Sequence, residues 1–237
     1  MSQTYTWLVT GTSRGIGLEL VRQLLTDPSN IIIATCRNPT GATALKSLKN
    51  GAKGELHVVQ LDITDEDSVR NSVTAVEQIL GHSGLDYLVN NAAVSNGLDT
   101  AFDFSLDAFK RILPSNIVGP ALMSQTYLPL LLKGNRKVLV NVSSGLGSLT
   151  LNIGKAEYAT YSVTKAALNM LTFKQAQARP EIIAITLCPG WVKTEMGTQD
   201  APLEVHESVA GIIKVVTSLQ PEDSGRYWRY NGEEIPW

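Results

Sequence analysis

Short apolar runs that alternate with longer helical patterns constrain the fold of this chain more than any other feature. Six runs rich in Val, Ile and Leu lack polar alternation, and they occupy residues 7–10, 31–35, 56–60, 85–90, 138–142 and 182–187. Strands of this kind are buried on both faces, which is typical of a parallel sheet with crossover helices. The sequence therefore predicts an α/β fold, a doubly wound Rossmann-type parallel sheet flanked by helices on both faces.

Helical patterns fill the intervals between these runs. Apolar residues recur at helical spacing in four of them, residues 15–25, 65–80, 116–132 and 158–178. A last short strand is predicted at 227–230. No repeat or flexible linker interrupts the sequence, so we expect a single domain over residues 1–237. Its substrate pocket is expected between the loops after Ser144 and Thr194 and the C-terminal tail.

Composition and charge exclude several kinds of partner. A net charge of −2 without any block of like charge predicts no nucleic-acid partner and no membrane partner. No apolar stretch reaches membrane-spanning length, and residues 1–6 lack the pattern of a secretory signal. Cys36 and Cys188 lie far apart in apolar contexts, which predicts buried thiols in a reducing compartment and hence a cytoplasmic protein.

The histidines do not form a pattern that would bind a metal. His57, His82 and His206 are isolated in the sequence, with no carboxylate at ligand spacing. We therefore expect them to be structural or solvent-facing, and we expect no metal site.

A glycine-rich turn follows the first predicted strand and opens the first predicted helix. It reads Thr10-Gly11-Thr12-Ser13-Arg14-Gly15-Ile16-Gly17. Such a turn lets backbone amides approach a pyrophosphate, and the helix N-terminus favours its negative charge. Glycines also serve ordinary tight turns. The strand before and the helix after favour the binding of a dinucleotide by Gly11, Ser13, Arg14, Gly15, Ile16 and Gly17.

The end of the second predicted strand indicates which dinucleotide is bound. About 20 residues beyond the glycine turn an acidic residue would bind a free ribose 2′-hydroxyl, but this chain has Cys36-Arg37-Asn38 there. Arg37 can grip a 2′-phosphate with two hydrogen bonds, and Arg14 is a candidate second cation. NADPH is therefore the predicted cofactor. The alternative is that Arg37 is an ordinary solvent-exposed cation.

Tyr161 and Lys165 stand four residues apart, so a helix places both on one face. A nearby cation favours a phenolate, so we expect Lys165 to lower the pKa of Tyr161. Carbonyl reduction needs a proton for the developing alkoxide, which makes Tyr161 the predicted acid. Ser144, just beyond the strand at 138–142, can polarise the same carbonyl. Alone, a Tyr and a Lys four apart would indicate an ordinary helix surface.

Together these residues resemble the short-chain dehydrogenase/reductase family over essentially the whole chain. The resemblance rests on the turn at 10–17, on Asn90-Asn91-Ala92-Ala93, on Tyr161 with Lys165, and on Pro189-Gly190. Ala93 departs from the family, which usually has glycine there. The stretch from Ser144 to Tyr161 and the ending at 225–237 are similar to sniffer-like carbonyl reductases and to the related norsolorinic-acid-ketoreductase-like proteins of fungi.

The resemblance implies roles for further residues. Asp62 would accept a bond from the adenine amine, Asn116 would hold a water of the proton relay, and Lys165 would also bind the nicotinamide ribose. Ser144 would face the substrate rather than Ser143 or Ser148. The other cofactor contacts that it implies are Ile63, Asn90, Ala92, Pro189, Gly190, Val192 and Thr194.

The complete set of Asn116, Ser144, Tyr161 and Lys165 predicts NADPH-dependent reduction of a ketone or aldehyde. An alcohol or hydroxysteroid dehydrogenase running in the oxidative direction would use the same residues. A dinucleotide-sensing protein without turnover is a third possibility, which an incomplete set would favour. The substrate stays open, with Tyr158 and Trp191 as candidate pocket residues. Apolar residues around the helices at 116–132 and 158–178, together with the family's habit of pairing them, predict a homodimer.

Overall fold

Seven parallel strands form the centre of the protein in the computed structural model, which describes residues 3–237. The strands are β1 (Tyr5–Thr10), β2 (Asn30–Cys36), β3 (Glu55–Gln60), β4 (Tyr87–Asn90), β5 (Val138–Val142), β6 (Ile183–Cys188) and β7 (Tyr227–Arg229). Their order is β3-β2-β1-β4-β5-β6-β7, and every pairing is parallel. The strand order reverses between β1 and β4, so the predicted doubly wound topology is confirmed.

Helices cover both faces of this sheet. They are α1 (Gly15–Leu24), α2 (Thr43–Ser47), α3 (Glu66–Leu80), α4 (Leu106–Leu113), α5 (Gly119–Lys133), α6 (Ala159–Ala178) and α7 (Val205–Ser218). Side chains alternate along each strand, so Val9 packs with α1 and α7 while Leu8 packs with α3 and α5 on the other face. Two apolar layers therefore bury the sheet, as the unbroken apolar runs in the sequence predict.

Local capping explains where two of these helices begin. The carboxylate of Asp65 accepts a hydrogen bond from the backbone amide of Ser68 at 3.1 Å, which caps α3. Glu204 and Glu207 form a reciprocal capping box at the start of α7. These side chains satisfy amides that have no partner within the helix, so each start is fixed by sequence.

The structure corrects several predicted boundaries. The predicted helix at 116–132 begins at Gly119, because a π-helix over Pro114–Val118 joins α4 to α5. Pro114 does not break this path, since it occupies the first position of the π-helix. Helices α2, α4 and α7 were absent from the sequence-based assignment. Residues 1 and 2 of the predicted polar N-terminal segment lie outside the described residues.

Asp86 anchors the edge of the sheet where β1 and β4 begin. Its buried carboxylate accepts hydrogen bonds from the backbone amides of Thr6 at 2.9 Å, Asn135 at 2.7 Å and Arg136 at 3.0 Å. Buried charge needs such partners, and here they join β1 to the turn before β5. The opposite edge carries most of the residues predicted to be functional. Within residues 3–237, no helix is long and apolar enough to cross a membrane.

Candidate active site

The carboxyl ends of the strands bring the predicted site residues to one edge of the sheet. The glycine turn follows β1, Arg37 follows β2, Ser144 follows β5 and Pro189 follows β6. Asn90 is the last residue of β4. The strand order reverses between β4 and its neighbour β1. Parallel sheets of this topology bind ligands in the crevice outside the strand ends, at the point of reversal.

The glycine turn leaves no room for a side chain at Gly11 or at Gly17. Gly11 has a φ of +70°, and a Cβ there would lie 2.9 Å from the Cα of Ala92. A Cβ on Gly17 would lie 2.3 Å from the carbonyl oxygen of Gly11 and 2.6 Å from the Asn91 side-chain nitrogen. Arg14 precedes α1 without a capping side-chain bond. The first amides of α1 therefore remain available to an anion such as a pyrophosphate.

Asn91 holds the ends of β1 and β4 together, a role that the sequence analysis did not assign. Its side-chain nitrogen donates to the carbonyl oxygen of Thr10 at 2.9 Å, and the Thr10 hydroxyl accepts from the backbone amides of Asn91 and Ala92 at 3.0 and 3.1 Å. Two consecutive asparagines directly after a buried strand are the sequence signal for such a junction.

A cleft of about 300 Å³ lies beside Arg37. It is lined by Ser13, Arg37, Asn38, Gly41, Ala42, Thr43 and Ala44. Asn38 shapes it by accepting a hydrogen bond from the Gly41 amide at 3.0 Å. No ion pair within residues 3–237 involves Arg37, and no acidic residue lines the cleft. An exposed guanidinium in a cleft without carboxylates fits a phosphate group.

The second candidate cation is engaged elsewhere. The Arg14 guanidinium pairs with Glu195 at 2.9 Å, and both side chains are exposed. Near this pair, the methyl group of Thr194 lies 3.6 Å from the position that a Cβ on Gly15 would occupy. The loop after β6 therefore contacts the glycine turn across the crevice. An exposed ion pair of this kind contributes little to stability, so a bound anion can compete for Arg14.

Residues predicted to hold the nucleoside lie at the same edge. Asp62 accepts hydrogen bonds from the Thr64 backbone amide at 2.9 Å and the Thr64 hydroxyl at 2.7 Å, through one carboxylate oxygen. Ile63 is buried beside Gly119. The Asn90 side-chain nitrogen donates to Asn141 at 2.9 Å, while its buried side-chain oxygen has no partner within residues 3–237. The uncapped amides of α1 and the cationic cleft beside Arg37 together fit a phosphorylated dinucleotide.

Lys165 is buried behind Tyr161. Its ammonium nitrogen donates to the Val142 carbonyl oxygen at 2.9 Å and lies 5.5 Å from the centre of the Tyr161 ring. Burial lowers the pKa of Lys165 to about 8 and raises the pKa of Tyr161. The direction differs from the expectation that the pKa of Tyr161 is lowered, because burial is the largest influence on it. Tyr161 consequently keeps its proton at neutral pH, as a proton donor must.

The three serines after β5 have different surroundings. The Ser143 hydroxyl is buried and donates to the Asn169 side chain at 2.6 Å, and the Ser148 hydroxyl donates to the Pro236 carbonyl oxygen at 2.6 Å. The partly exposed Ser144 hydroxyl accepts from the Leu146 amide at 3.3 Å. Its own proton has no acceptor within the described residues. This arrangement favours Ser144 as the serine that donates to a substrate.

Asn116 is fully buried in the π-helix that precedes α5. Its side-chain oxygen accepts from the Val94 amide at 2.9 Å, and its nitrogen donates to the Val94 carbonyl at 2.8 Å and the Thr164 hydroxyl at 3.0 Å. The side chain thus joins the loop after β4 to α6. The π-helix that carries Asn116 is a local widening of the helix, and such widenings are frequent at functional sites.

The loop after β6 closes the remaining side of the crevice. The Pro189 carbonyl accepts from the Ser208 hydroxyl at 2.6 Å, and Gly190 takes a φ of +85°. Val192 is buried, whereas Trp191 is 56% exposed with its indole nitrogen donating to the Gly197 carbonyl at 2.5 Å. Trp191 therefore presents a fixed aromatic face rather than packing beneath the loop.

Tyr158 lies just outside α6, although the predicted helix included it. It has a left-handed φ of 57°, which is uncommon for a bulky residue.

Within residues 3–237, no group of three or more His, Cys, Asp or Glu side chains is arranged to hold a metal ion.

Comparison with known proteins identifies the family. Residues 6–204 match the short chain dehydrogenase family, and the chain belongs to it. It is 35% identical to an NADPH-bound carbonyl reductase from chicken fatty liver, covering 100% of both chains with a TM-score of 0.90. It is 30% identical to the carbonyl reductase Sniffer of D. melanogaster, with 99% and 100% coverage and a TM-score of 0.93.

A fungal relative has a similar extent. The norsolorinic acid ketoreductase of Emericella nidulans is 29% identical over 244 residues, which are 98% of this chain and 93% of the relative. The resemblance inferred from the motifs is therefore confirmed at the level of the family and of the kinds of relatives that it includes.

The buried lysine gives the stability of the protein a specific pH dependence. The unfolded chain binds the Lys165 proton more tightly than the folded one, so folding becomes more favourable as pH rises from about 8 to 10.5. Lys165→Met cannot titrate, so its stability relative to the wild type should fall over this window by up to about 3 kcal/mol. Urea unfolding at pH 7 to 10 measures this change. Lys174→Met, on an exposed side of α6, is the control. If the difference in unfolding free energy between Lys165→Met and the wild type does not change with pH, the lowered pKa of Lys165 is contradicted.

Proposed function

We propose that this protein reduces a ketone or aldehyde to an alcohol with NADPH, and that Tyr161 donates the proton. The observation that carries the proposal is the placement of Tyr161 over the buried Lys165 at the carboxyl edge of the sheet, with the turn that follows Ser144 packed against Lys165 at Gly147. Membership in the family and likeness to carbonyl reductases support the same reaction.

The residues divide the chemistry between them. Bound NADPH supplies the hydride for the carbonyl carbon. The Ser144 hydroxyl donates a hydrogen bond to the carbonyl oxygen and stabilises the negative charge that develops there. Tyr161 gives that oxygen its proton, and Lys165 stabilises the resulting phenolate. Asn116 holds α6 in place through Thr164.

The geometry also supports a division of the cofactor between the two sides of the crevice. We assign the pyrophosphate to the amides of the glycine turn and the 2′-phosphate to Arg37. Asp62 and Ile63 receive the adenine. The loop after β6, from Pro189 to Thr194, receives the nicotinamide end. NADPH rather than NADH as the cofactor favours reduction over the oxidative alternative.

Net charge and the two cysteines indicate the partners and the location of the protein. We propose that the substrate is a small molecule and that no nucleic acid or membrane takes part, in keeping with a net charge of −2. A cytoplasmic location is supported by Cys36 and Cys188, which are both free and buried.

Removal of the Tyr161 hydroxyl should separate binding from chemistry. Tyr161→Phe keeps the ring but loses the proton donor, so the rate should fall at least about 100-fold while NADPH affinity stays within about twofold. NADPH oxidation across a panel of aromatic, aliphatic and quinone carbonyls, beside fluorescence titration of the cofactor, measures both. Tyr158→Phe is the matched control on the same segment. Loss of activity in Tyr158→Phe, with activity kept in Tyr161→Phe, would assign the proton donor to Tyr158.

Reversal of charge at Arg37 should change cofactor preference. Arg37→Asp removes the partner of the 2′-phosphate and repels it, so NADPH affinity should fall about 10- to 100-fold, or about 1.5–3 kcal/mol, with NADH now preferred. Isothermal titration with both cofactors gives the ratio. Arg70→Asp, on α3 away from the cleft, should leave it unchanged. Equal affinity of the wild type for the two cofactors would refute the assignment of Arg37.

We further propose a homodimer formed by the outer side of α6 and the π-helix. Val118, Val163 and Met170 are 58%, 55% and 58% exposed and lie on these elements, whereas Met123, Tyr127 and Leu168 are already buried in the subunit. Exposed apolar residues grouped on one surface favour association. Light scattering should report a dimer for the wild type and a monomer for Met170→Glu. Glu77→Lys, on α3, should remain dimeric, and a monomeric wild type at all concentrations would exclude this interface.

A further inference from the structure

The end of the chain returns to the turn that carries Ser144. Tyr227 opens β7 and is almost fully buried, and its hydroxyl donates to the backbone carbonyl oxygen of Ser144. The neighbouring Ser143 hydroxyl donates to the Asn169 side chain of α6 at 2.6 Å. A residue far along the sequence thus fixes the backbone of the serine that we assign to the substrate.

Residues after β7 hold the other end of the same segment. The Pro236 carbonyl accepts from the Ser148 hydroxyl at 2.6 Å, and the Trp237 carbonyl oxygen accepts from the amide and the hydroxyl of Thr150 at 3.2 and 2.7 Å. The Trp237 ring stacks on Tyr227 with centroids 5.3 Å apart and planes at 25°. Tyr227, Pro236 and Trp237 therefore hold the segment 144–150 at both ends.

This support matters because little else fixes the Ser144 side chain. Its only hydrogen bond within the described residues is the one accepted from the Leu146 amide at 3.3 Å. Its backbone is extended, with φ −158° and ψ 146°, and its carbonyl oxygen accepts from the Tyr227 hydroxyl and from the Gly147 amide at 2.8 Å. Of these two donors, only Tyr227 lies outside the turn, so it ties the orientation of the Ser144 peptide to the rest of the fold. A catalytic hydroxyl displaced by about 1 Å can lose much of its effect on rate.

We propose that Tyr227 is a positioning residue for Ser144. Its hydroxyl holds the Ser144 carbonyl so that the Ser144 side chain is aimed at the carbonyl oxygen of the substrate. Trp237 supports it by fixing the Tyr227 ring. The inference rests on the proposed function, since it assigns Tyr227 a role in the same reaction.

A double-mutant cycle tests this role. Tyr227→Phe keeps the ring and removes only the hydroxyl, so kcat should fall about tenfold in the wild type while the KM for NADPH stays constant. In a Ser144→Ala background, Tyr227→Phe should change kcat less than twofold, because the group that it positions is already gone. Loss of fold stability would lower activity equally in both backgrounds.

Tyr127→Phe is the matched control. Tyr127 is buried in α5 and shares a hydrogen bond with the Ser72 hydroxyl of α3 at 2.6 Å. This variant also removes a buried, hydrogen-bonded hydroxyl, so it should lower thermal stability while leaving kcat unchanged. If Tyr227→Phe does not fold, Trp237→Ala replaces it in the cycle, because Trp237 is 40% exposed and its loss keeps the Tyr227 hydroxyl. It should show the same dependence on Ser144, with a smaller loss of kcat.

The outcomes distinguish failure of the proposed reaction from failure of the positioning role of Tyr227. A wild type that reduces no carbonyl of the panel contradicts the proposed function and this inference together. A wild type that reduces carbonyls, with Tyr227→Phe losing the same factor in both backgrounds or losing nothing, overturns the positioning role alone. Loss of the effect in the Ser144→Ala background supports it.

Discussion

The close packing of Gly11 against Ala92 is the constraint on which the crevice depends. The ends of β1 and β4 approach so closely that a Cβ on Gly11 would lie 2.9 Å from the Ala92 backbone, and Asn91 with Thr10 hydrogen-bond the two ends together. This junction is where the strand order reverses. Because the glycine turn leaves β1 there, the amides that begin α1 face the opening between the two halves of the sheet.

Burial then gives Tyr161 and Lys165 their electrostatic character. The Lys165 side chain extends from α6 to the end of β5, where its ammonium donates to the Val142 carbonyl. Desolvation lowers the pKa of Lys165 to about 8 and raises that of Tyr161. Both shifts favour the uncharged forms, so the structure without ligand keeps the acid protonated. Stabilisation of a phenolate by Lys165 becomes important only once the proton has left Tyr161. The sequence places the two residues together by their spacing, but the sign of the shift follows from burial, which spacing does not reveal.

Periodicity predicted most of the fold, and motifs supplied candidate site residues that the strand ends bring to one edge of the sheet. The strands and α1, α3 and α6 were predictable because each has a strong apolar pattern. Helix α7 was missed although its buried Val209, Ile212 and Val216 recur at helical spacing after the Glu204 capping box. The π-helix was not predictable, because a widened turn leaves no periodic signal in five residues. Tyr227 acts through a partner distant in sequence, so no local pattern reveals its role, whereas the consecutive asparagines Asn90 and Asn91 are a local signal for the junction that Asn91 forms.

The segment between Ser144 and Tyr161 shows why the C-terminal tail is needed. Asn152, Lys155 and Tyr158 all have positive φ values, of 46°, 49° and 57°. Left-handed conformations cost non-glycine residues roughly 1–2 kcal/mol each, so surrounding contacts must hold such a segment in place. Pro236 and Trp237 accept hydrogen bonds where this segment begins, and the Tyr158 end is joined to the loop after β4 through Asp99 and Thr160. The side of the crevice that we propose for the substrate is therefore irregular backbone held at both ends, whereas the side that we propose for the cofactor is built on regular elements. Changes in this segment can alter the pocket while the cofactor crevice is kept.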